Sequence, residues 1–173
     1  LVSRGCVLPT VPLGRLHDPL PDLGLRGQVA IVTGASSGLG RAAASALGRS
    51  GVKVVVNHIE SEAGAAAEVV RDITDHGGAA RAIAADVSRE DQVQAMFADA
   101  VARFGTVQIL VNNAGIERGG PIEDMDLRDW QRVIDVNLTG QFLCAREAVR
   151  EFLRRGRQPE VSLSLGKIIC MSS

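Results

Sequence analysis

The 173 residues contain no tyrosine, and aromatic side chains of any kind make up only 3% of the chain: Phe97, Phe104, Phe142, Phe152 and Trp130. That scarcity excludes a sugar- or base-stacking surface built on aromatic platforms and leaves the core to Ala, Val, Ile and Leu. Charge of one sign is also missing. Lysine plus arginine number 19 and aspartate plus glutamate 20, for a net charge of −1, which excludes a basic nucleic-acid module and a polybasic membrane binder. The three cysteines and three histidines form no C-x-x-C pair or His cluster, so a zinc site is not expected. Cys6, Cys144 and Cys170 read as small apolar side chains in a reducing, cytoplasmic compartment. No apolar run reaches the length of a membrane span, and Pro9 and Pro12 break the one N-terminal stretch that would otherwise resemble a signal core.

What is present fits a globular domain: 46% hydrophobic and 23% charged residues, with enough length for one core and too little for two large domains. Residues 1–25 hold Pro9, Pro12, Pro19 and Pro21, four of the six prolines, and read as a mobile extension. Residues 26–173 read as the ordered domain. The chain begins at Leu1 and stops at Ser173 directly after an apolar run, which is expected of a piece of a longer reading frame.

Short Val/Ile-rich runs alternate with helical patterns along that domain. Strands are expected at Val29–Thr33, Lys53–Asn57, Ala80–Ala85, Val107–Val111 and Gly166–Met171. Helices are expected at Gly38–Ser50, through Ala66, Val69, Val70 and Ile73, through Val93–Phe104, at Asp126–Asp135 and at Leu138–Arg155. Ser88 with Asp91 suggests a capping box for the third helix, and Gly105 suggests its end. In the last helix, Leu138, Phe142, Ala145, Val149 and Phe152 fall on one stripe. Continuous apolar strands separated by helices imply an α/β fold, a doubly wound parallel sheet of the Rossmann kind, here truncated after the fifth strand.

Between the first strand and first helix lies Thr33-Gly34-Ala35-Ser36-Ser37-Gly38-Leu39-Gly40. Glycines there let the chain turn sharply and let its backbone approach a pyrophosphate without an intervening Cβ. The helix N-terminus offers N–H groups and partial positive charge to phosphates, Ser36 and Ser37 can add hydroxyl donors, and Gly40 lets the helix pack closely. A flexible surface turn is the plain alternative, but the strand-turn-helix setting is the one dinucleotide binding requires. No Lys-Ser/Thr pair follows the last glycine, so this is not a P-loop. At the end of the second strand, where an acid would bind the adenosine ribose and favour NAD, stands Asn57. Glu60 and Glu62 come later, at a helix start where the helix dipole accounts for them. NAD and NADP both remain open as cofactor, with a lean to NADP or to dual use.

Further motifs follow in order: Asp86-Val87 after the third strand, Asn112-Asn113-Ala114-Gly115 after the fourth, Asn137 within Val136–Gly140, and Gly166–Ser173. Read alone, Asp86 could cap a turn, Asn112 and Asn113 could satisfy backbone groups, and Ser173 could be any strand-end serine. Together, from Leu25 to Ser173, they resemble the short-chain dehydrogenase/reductase family, and from Asn112 onward they are most similar to its bacterial glucose 1-dehydrogenases.

The resemblance implies a cofactor site at Gly34, Ser36, Ser37, Gly38, Leu39, Gly40, Asn57, Asp86, Val87, Asn113, Ala114 and Gly115, with Asp86 holding the adenine. It implies Ser173 as the catalytic serine and Asn137 as the asparagine of a proton relay. It implies a small sugar or alcohol as substrate, no nucleic-acid or membrane partner, and a homo-oligomer for the complete enzyme, packed through the helix Leu138–Arg155. The family's general base is the tyrosine of a Tyr-x-x-x-Lys motif, and no residue here can replace it. The 173-residue chain is therefore expected to be inactive on its own. A non-catalytic, redox-sensing dinucleotide binder and a non-functional truncated product are the other readings.

Overall fold

The computed structural model describes residues 24–172. Most of the expected N-terminal extension, Cys6 and Ser173 lie outside the described residues. Leu25 already packs against the apolar core.

The chain runs β1 (Val29–Val32), α1 (Gly38–Arg49), β2 (Lys53–His58), α2 (Ala63–Asp75), β3 (Ala79–Ala84), α3 (Glu90–Phe104) and β4 (Ile109–Asn112). It continues through α4 (Leu127–Ile134), a π-helical turn at Asp135–Thr139, α5 (Gly140–Arg155) and β5 (Lys167–Cys170). All pairings are parallel, in the order β3-β2-β1-β4-β5. Strand order thus reverses at β1, and a switch point opens between the carboxyl ends of β1 and β4.

Strand alternation accounts for the double winding. Ala30 and Val32, Val54 and Val56, and Ile109 and Val111 face one side, with Ala44, Ala66, Val69 and Ile73 of α1 and α2. Ile31, Val55 and Leu110 face the other, with Val93, Met96, Phe97 and Ala100 of α3 and with Val136, Leu143, Ala148 and Phe152. Each central strand is buried on both faces, so its sequence is a continuous apolar run with no polar alternation.

Four local expectations need correction. The first is the capping box at α3. The N-cap is Arg89 and makes no side-chain cap, because Ser88 is drawn back to Asp86: its N–H and hydroxyl donate to Asp86 Oδ1 at 3.0 and 2.6 Å. Gly105 does end the helix, in the left-handed conformation at φ +87°.

The second is the helix start at Leu138. α4 runs into α5 through the π-turn, and its own N-cap is Asp126, whose carboxylate accepts from the Arg128 N–H at 2.7 Å. The third is the single stripe on α5. Phe152 is buried with Leu143, Cys144 and Ala148, whereas Leu138, Phe142 and Val149 are exposed, with Leu153 beside them. The helix therefore carries two apolar faces. The fourth is Cys170, since Cys144 is a core residue as expected. Cys144 is buried and its thiol is pushed up to about 12, by burial and then by the Glu147 charge. Cys170 is exposed.

β5 lies at one edge of the sheet with Ile168, Ile169 and Met171 exposed. An apolar edge of this kind templates further strand pairing. The 173-residue chain is expected to self-associate in size-exclusion chromatography, and Ile169→Lys to shift it toward monomer. A monodisperse wild-type monomer would contradict this.

Candidate dinucleotide site at the switch point

Thr33 directly follows β1 and anchors the site. Its Oγ1 accepts from the N–H groups of Asn113 (2.9 Å) and Ala114 (3.0 Å) and donates to the Val111 carbonyl at 3.3 Å. The Asn113 amide then donates to the carbonyls of Thr33 (2.9 Å) and Gly34 (3.1 Å). The two strand ends flanking the switch point are thereby locked together. The plain alternative for Asn113 describes its side chain, which serves backbone groups, while its residue still lines the pocket.

The lock leaves no room beneath the turn. A Cβ on Gly40 would lie 2.3 Å from the Gly34 oxygen and 2.5 Å from Asn113 Nδ2. A Cβ on Gly34, whose φ is +61°, would lie 2.9 Å from the Ala114 Cα. Gly40 thus serves close contact with the turn and with Asn113 just beyond β4. Ser37 is the N-cap of α1 but makes no side-chain cap, and no acid occupies the first helical turn. The positive pole of α1 is left facing the cleft.

A cavity of about 240 Å³ occupies this place. Of the expected cofactor residues, Gly34, Ser36, Ser37, Asn57, Asp86, Val87, Asn113, Ala114 and Gly115 line it. Gly38, Leu39 and Gly40 form the first turn of α1 beside it, with Leu39 exposed. Asn57 is spent on the scaffold: Oδ1 accepts from the Gly34 N–H at 3.3 Å, and Nδ2 donates to the Ala85 carbonyl at 3.0 Å. Asp86 both caps its turn and lines the cavity. Besides the Ser88 bonds, its Oδ2 accepts from Arg132 of α4 at 3.0 Å. Burial would raise its carboxyl, but Ser88 and Arg132 outweigh this and hold it below its ordinary value.

Asn137 stands apart from the cavity lining, on the π-turn. Its Oδ1 accepts from the Ile116 N–H at 2.8 Å, and its Nδ2 donates to the Ile116 carbonyl at 2.9 Å. π-turns interrupt helices mostly at functional places. No periodicity in the sequence announces this one.

The sequence reading missed His58, Ile59, Glu62, Ile116 and Arg132, which also line the cavity. Glu62 is not explained by the α2 dipole alone. It sits in a 3-10 turn, makes no cap to α2, and accepts a hydrogen bond from the Ser36 hydroxyl. The lean to NADP or dual use rested on the lack of an acid at the end of β2, where Asn57 stands; Glu62 joins the cavity wall beyond that end. Among the described residues no group of three or more His, Cys, Asp or Glu is placed to hold a metal.

Residues 28–173 match the short chain dehydrogenase family. The chain belongs to that family. It is 47% identical over 83% of its length to 3beta-hydroxysteroid dehydrogenase 1 of Eggerthella lenta. It is 46% identical over 76% to a 3-oxoacyl-[acyl-carrier-protein] reductase of Synechocystis, and 43% identical over 75% to glucose 1-dehydrogenase 2 of Bacillus subtilis. These alignments cover 54%, 53% and 50% of the relatives, so the chain spans about half their length. Among solved structures, a short-chain type dehydrogenase/reductase from Mycobacterium marinum superposes with a TM-score of 0.76 at 37% identity, over 83% of this chain and 55% of that one. A short chain dehydrogenase from Burkholderia cenocepacia in complex with NADP gives 0.70 at 36%, over 73% and 51%.

Gly40→Ala tests the close packing of this short chain dehydrogenase turn. Overpacking against backbone is expected to cost about 1–3 kcal/mol of stability in chemical denaturation, together with dinucleotide affinity. Unchanged stability and affinity would contradict the geometry.

Proposed function

We propose that this chain is the cofactor-binding half of an NAD(P)-dependent oxidoreductase that oxidises glucose, or a related sugar or alcohol, to the lactone or carbonyl. The observation that carries the cofactor assignment is the cradle at the switch point. The approach to Gly34 and Gly40 is tight enough to exclude any Cβ, and it lies under a helix pole with no acid in its first turn. Such a cradle suits a pyrophosphate. When bound, the dinucleotide supplies hydride chemistry at its nicotinamide.

The chain's own groups have separable tasks in this reading. The Gly38–Gly40 turn holds the pyrophosphate. Asp86, kept ionised by Ser88 and Arg132, faces the adenine. Asn137 fixes the loop beyond Gly115 through Ile116, and its amide keeps capacity for one further donor and one acceptor bond to a water of the proton relay. β5 runs parallel to β4, and the Met171 N–H bonds the Asn112 carbonyl at 2.9 Å. β5 therefore ends at the carboxyl end of the sheet; Ser173, which lies outside the described residues, is proposed from the family resemblance to orient the substrate oxygen. The family resemblance assigns the general base to a Tyr-x-x-x-Lys pair, which these 173 residues do not contain, so they are proposed to be inactive alone. Exposed Leu127, Trp130, Leu138, Phe142 and Leu153 on and beside α4 and α5 support a homo-oligomer of that protein, and the cysteine usage supports a cytoplasmic location.

The similarity of residues 112–173 to glucose 1-dehydrogenases favours a sugar, while the relatives' names span steroid, acyl-carrier-protein and glucose chemistry. Reduced-cofactor formation by the full-length protein should be followed at 340 nm with glucose and with a 3-hydroxysteroid. Consumption of reduced cofactor should be followed with a 3-oxoacyl thioester. The reading expects turnover with glucose. Turnover with the steroid or thioester alone would overturn the substrate, and no turnover with any would overturn the activity.

A further inference from the structure

We propose that Arg132 is a positioning residue for the cofactor: by fixing the Asp86 carboxylate it makes the cleft select a purine with an exocyclic amino group, adenine, over a 6-oxo purine. This rests on the placement of the adenine against Asp86 in the reading above and adds the residue that sets Asp86 for it.

Arg132 belongs to α4, a helix that buries no residue, so hydrophobic burial does not account for the reach of its guanidinium. The side chain extends back to the turn after β3 and divides its two terminal nitrogens between neighbours there. Nη2 donates to Asp86 Oδ2 at 3.0 Å, and Nη1 donates to Ser88 Oγ at 2.9 Å. Ser88 in turn gives both its N–H and its hydroxyl to Asp86 Oδ1. Three side chains thereby close a ring. The Asp86 backbone is pinned as well, since its N–H donates to Gln92 Oε1 at 2.7 Å. Asp86 and Arg132 both line the cavity.

The hydrogen-bond count gives this ring a consequence for the ligand. An ionised carboxylate offers about four acceptor sites. Ser88 fills two on Oδ1 and Arg132 one on Oδ2, which leaves a site on Oδ2 for a donor. An exocyclic amino group is such a donor, whereas a 6-oxo group is an acceptor and meets the carboxylate lone pairs. Held at both oxygens, the carboxylate is already ordered when the ring arrives, and that preorganisation favours the matching base. Without Arg132, Oδ2 is free to hydrate and turn, and the discrimination falls. Arg132 and Asp86 are 43% and 27% exposed, so their pairing adds little to stability. A bare tether that only kept α4 in place would serve every dinucleotide alike.

The test uses whichever adenine dinucleotide the full-length wild type binds, NAD⁺ or NADP⁺, and the same molecule with hypoxanthine in place of adenine. Both are titrated into wild type, Arg132→Gln, Arg132→Lys and Arg128→Gln, with circular dichroism confirming that each is folded. Wild type is expected to bind the adenine form at least about tenfold more tightly, the worth of one hydrogen bond to a charged group. Arg132→Gln is expected to shrink that ratio to about threefold or less. Arg132→Lys, which keeps a cation for Asp86 but not the fork to both partners, should recover part of it. Arg128→Gln, on the same helix and paired with Asp126, should leave the ratio unchanged. Equal binding of the two forms by wild type, equal weakening of both in Arg132→Gln, no recovery in Arg132→Lys, or the same shift in Arg128→Gln would overturn this inference and leave the dinucleotide site standing. Binding of neither NAD⁺ nor NADP⁺ to wild type would overturn both.

Discussion

One hydroxyl joins the two strands between which everything else is arranged. Thr33 Oγ1 takes the N–H groups of both Asn113 and Ala114 and gives its proton to Val111. Its hydrogen-bonding capacity is full. The groups it satisfies are buried or half-buried, and leaving such a donor unmade costs about 1–3 kcal/mol. A parallel sheet leaves its strand ends unpaired at the switch point. Here the opening is closed on one side by Thr33 and Asn113 and left as a cleft on the other. The glycine turn is shaped by that closure, because Gly34 and Gly40 must fit against the side chain and backbone of Asn113 and Ala114.

The electrostatics of the cleft follow from which charges the scaffold consumes. The α1 pole is left without a neighbouring acid. Asp86 is paired with Arg132, a link that also ties α4 to the β3 end. Glu62 is held by Ser36. The result is a cleft that is positive where a pyrophosphate would lie and negative at the end of β2. The π-turn completes the arrangement by aiming Asn137 at Ile116, so the helix that covers the sheet also sets the loop at the rim of the site.

The fold was legible because central parallel strands are buried on both faces. Val29–Thr33 and Lys53–Asn57 therefore read as strands without any alternation, and the glycine motif announced the first crossover. What escaped the sequence was local competition between polar groups. Ser88 matched a helix cap, yet the nearer Asp86 carboxylate captured it. α5 looked like one stripe because both of its faces are apolar, and spacing alone does not say which of Phe142 and Phe152 goes inside. Glu62 matched a helix-dipole acid, and only the fold-back of a 3-10 turn places it in the cleft. Arg132 had no motif to mark it, because its meaning depends on the approach of α4 to Asp86, 46 residues away in sequence.

The dependence of the site on the Thr33 hydroxyl is tested most directly by comparing Thr33→Ser with Thr33→Val in the full-length protein and titrating each with the dinucleotide it prefers. Serine keeps the hydroxyl, while valine keeps the shape and strands two N–H donors. Serine should bind within about threefold of wild type, and valine should lose affinity by about tenfold or more. Equal affinities for the serine and valine proteins would contradict the view that this hydroxyl shapes the cleft.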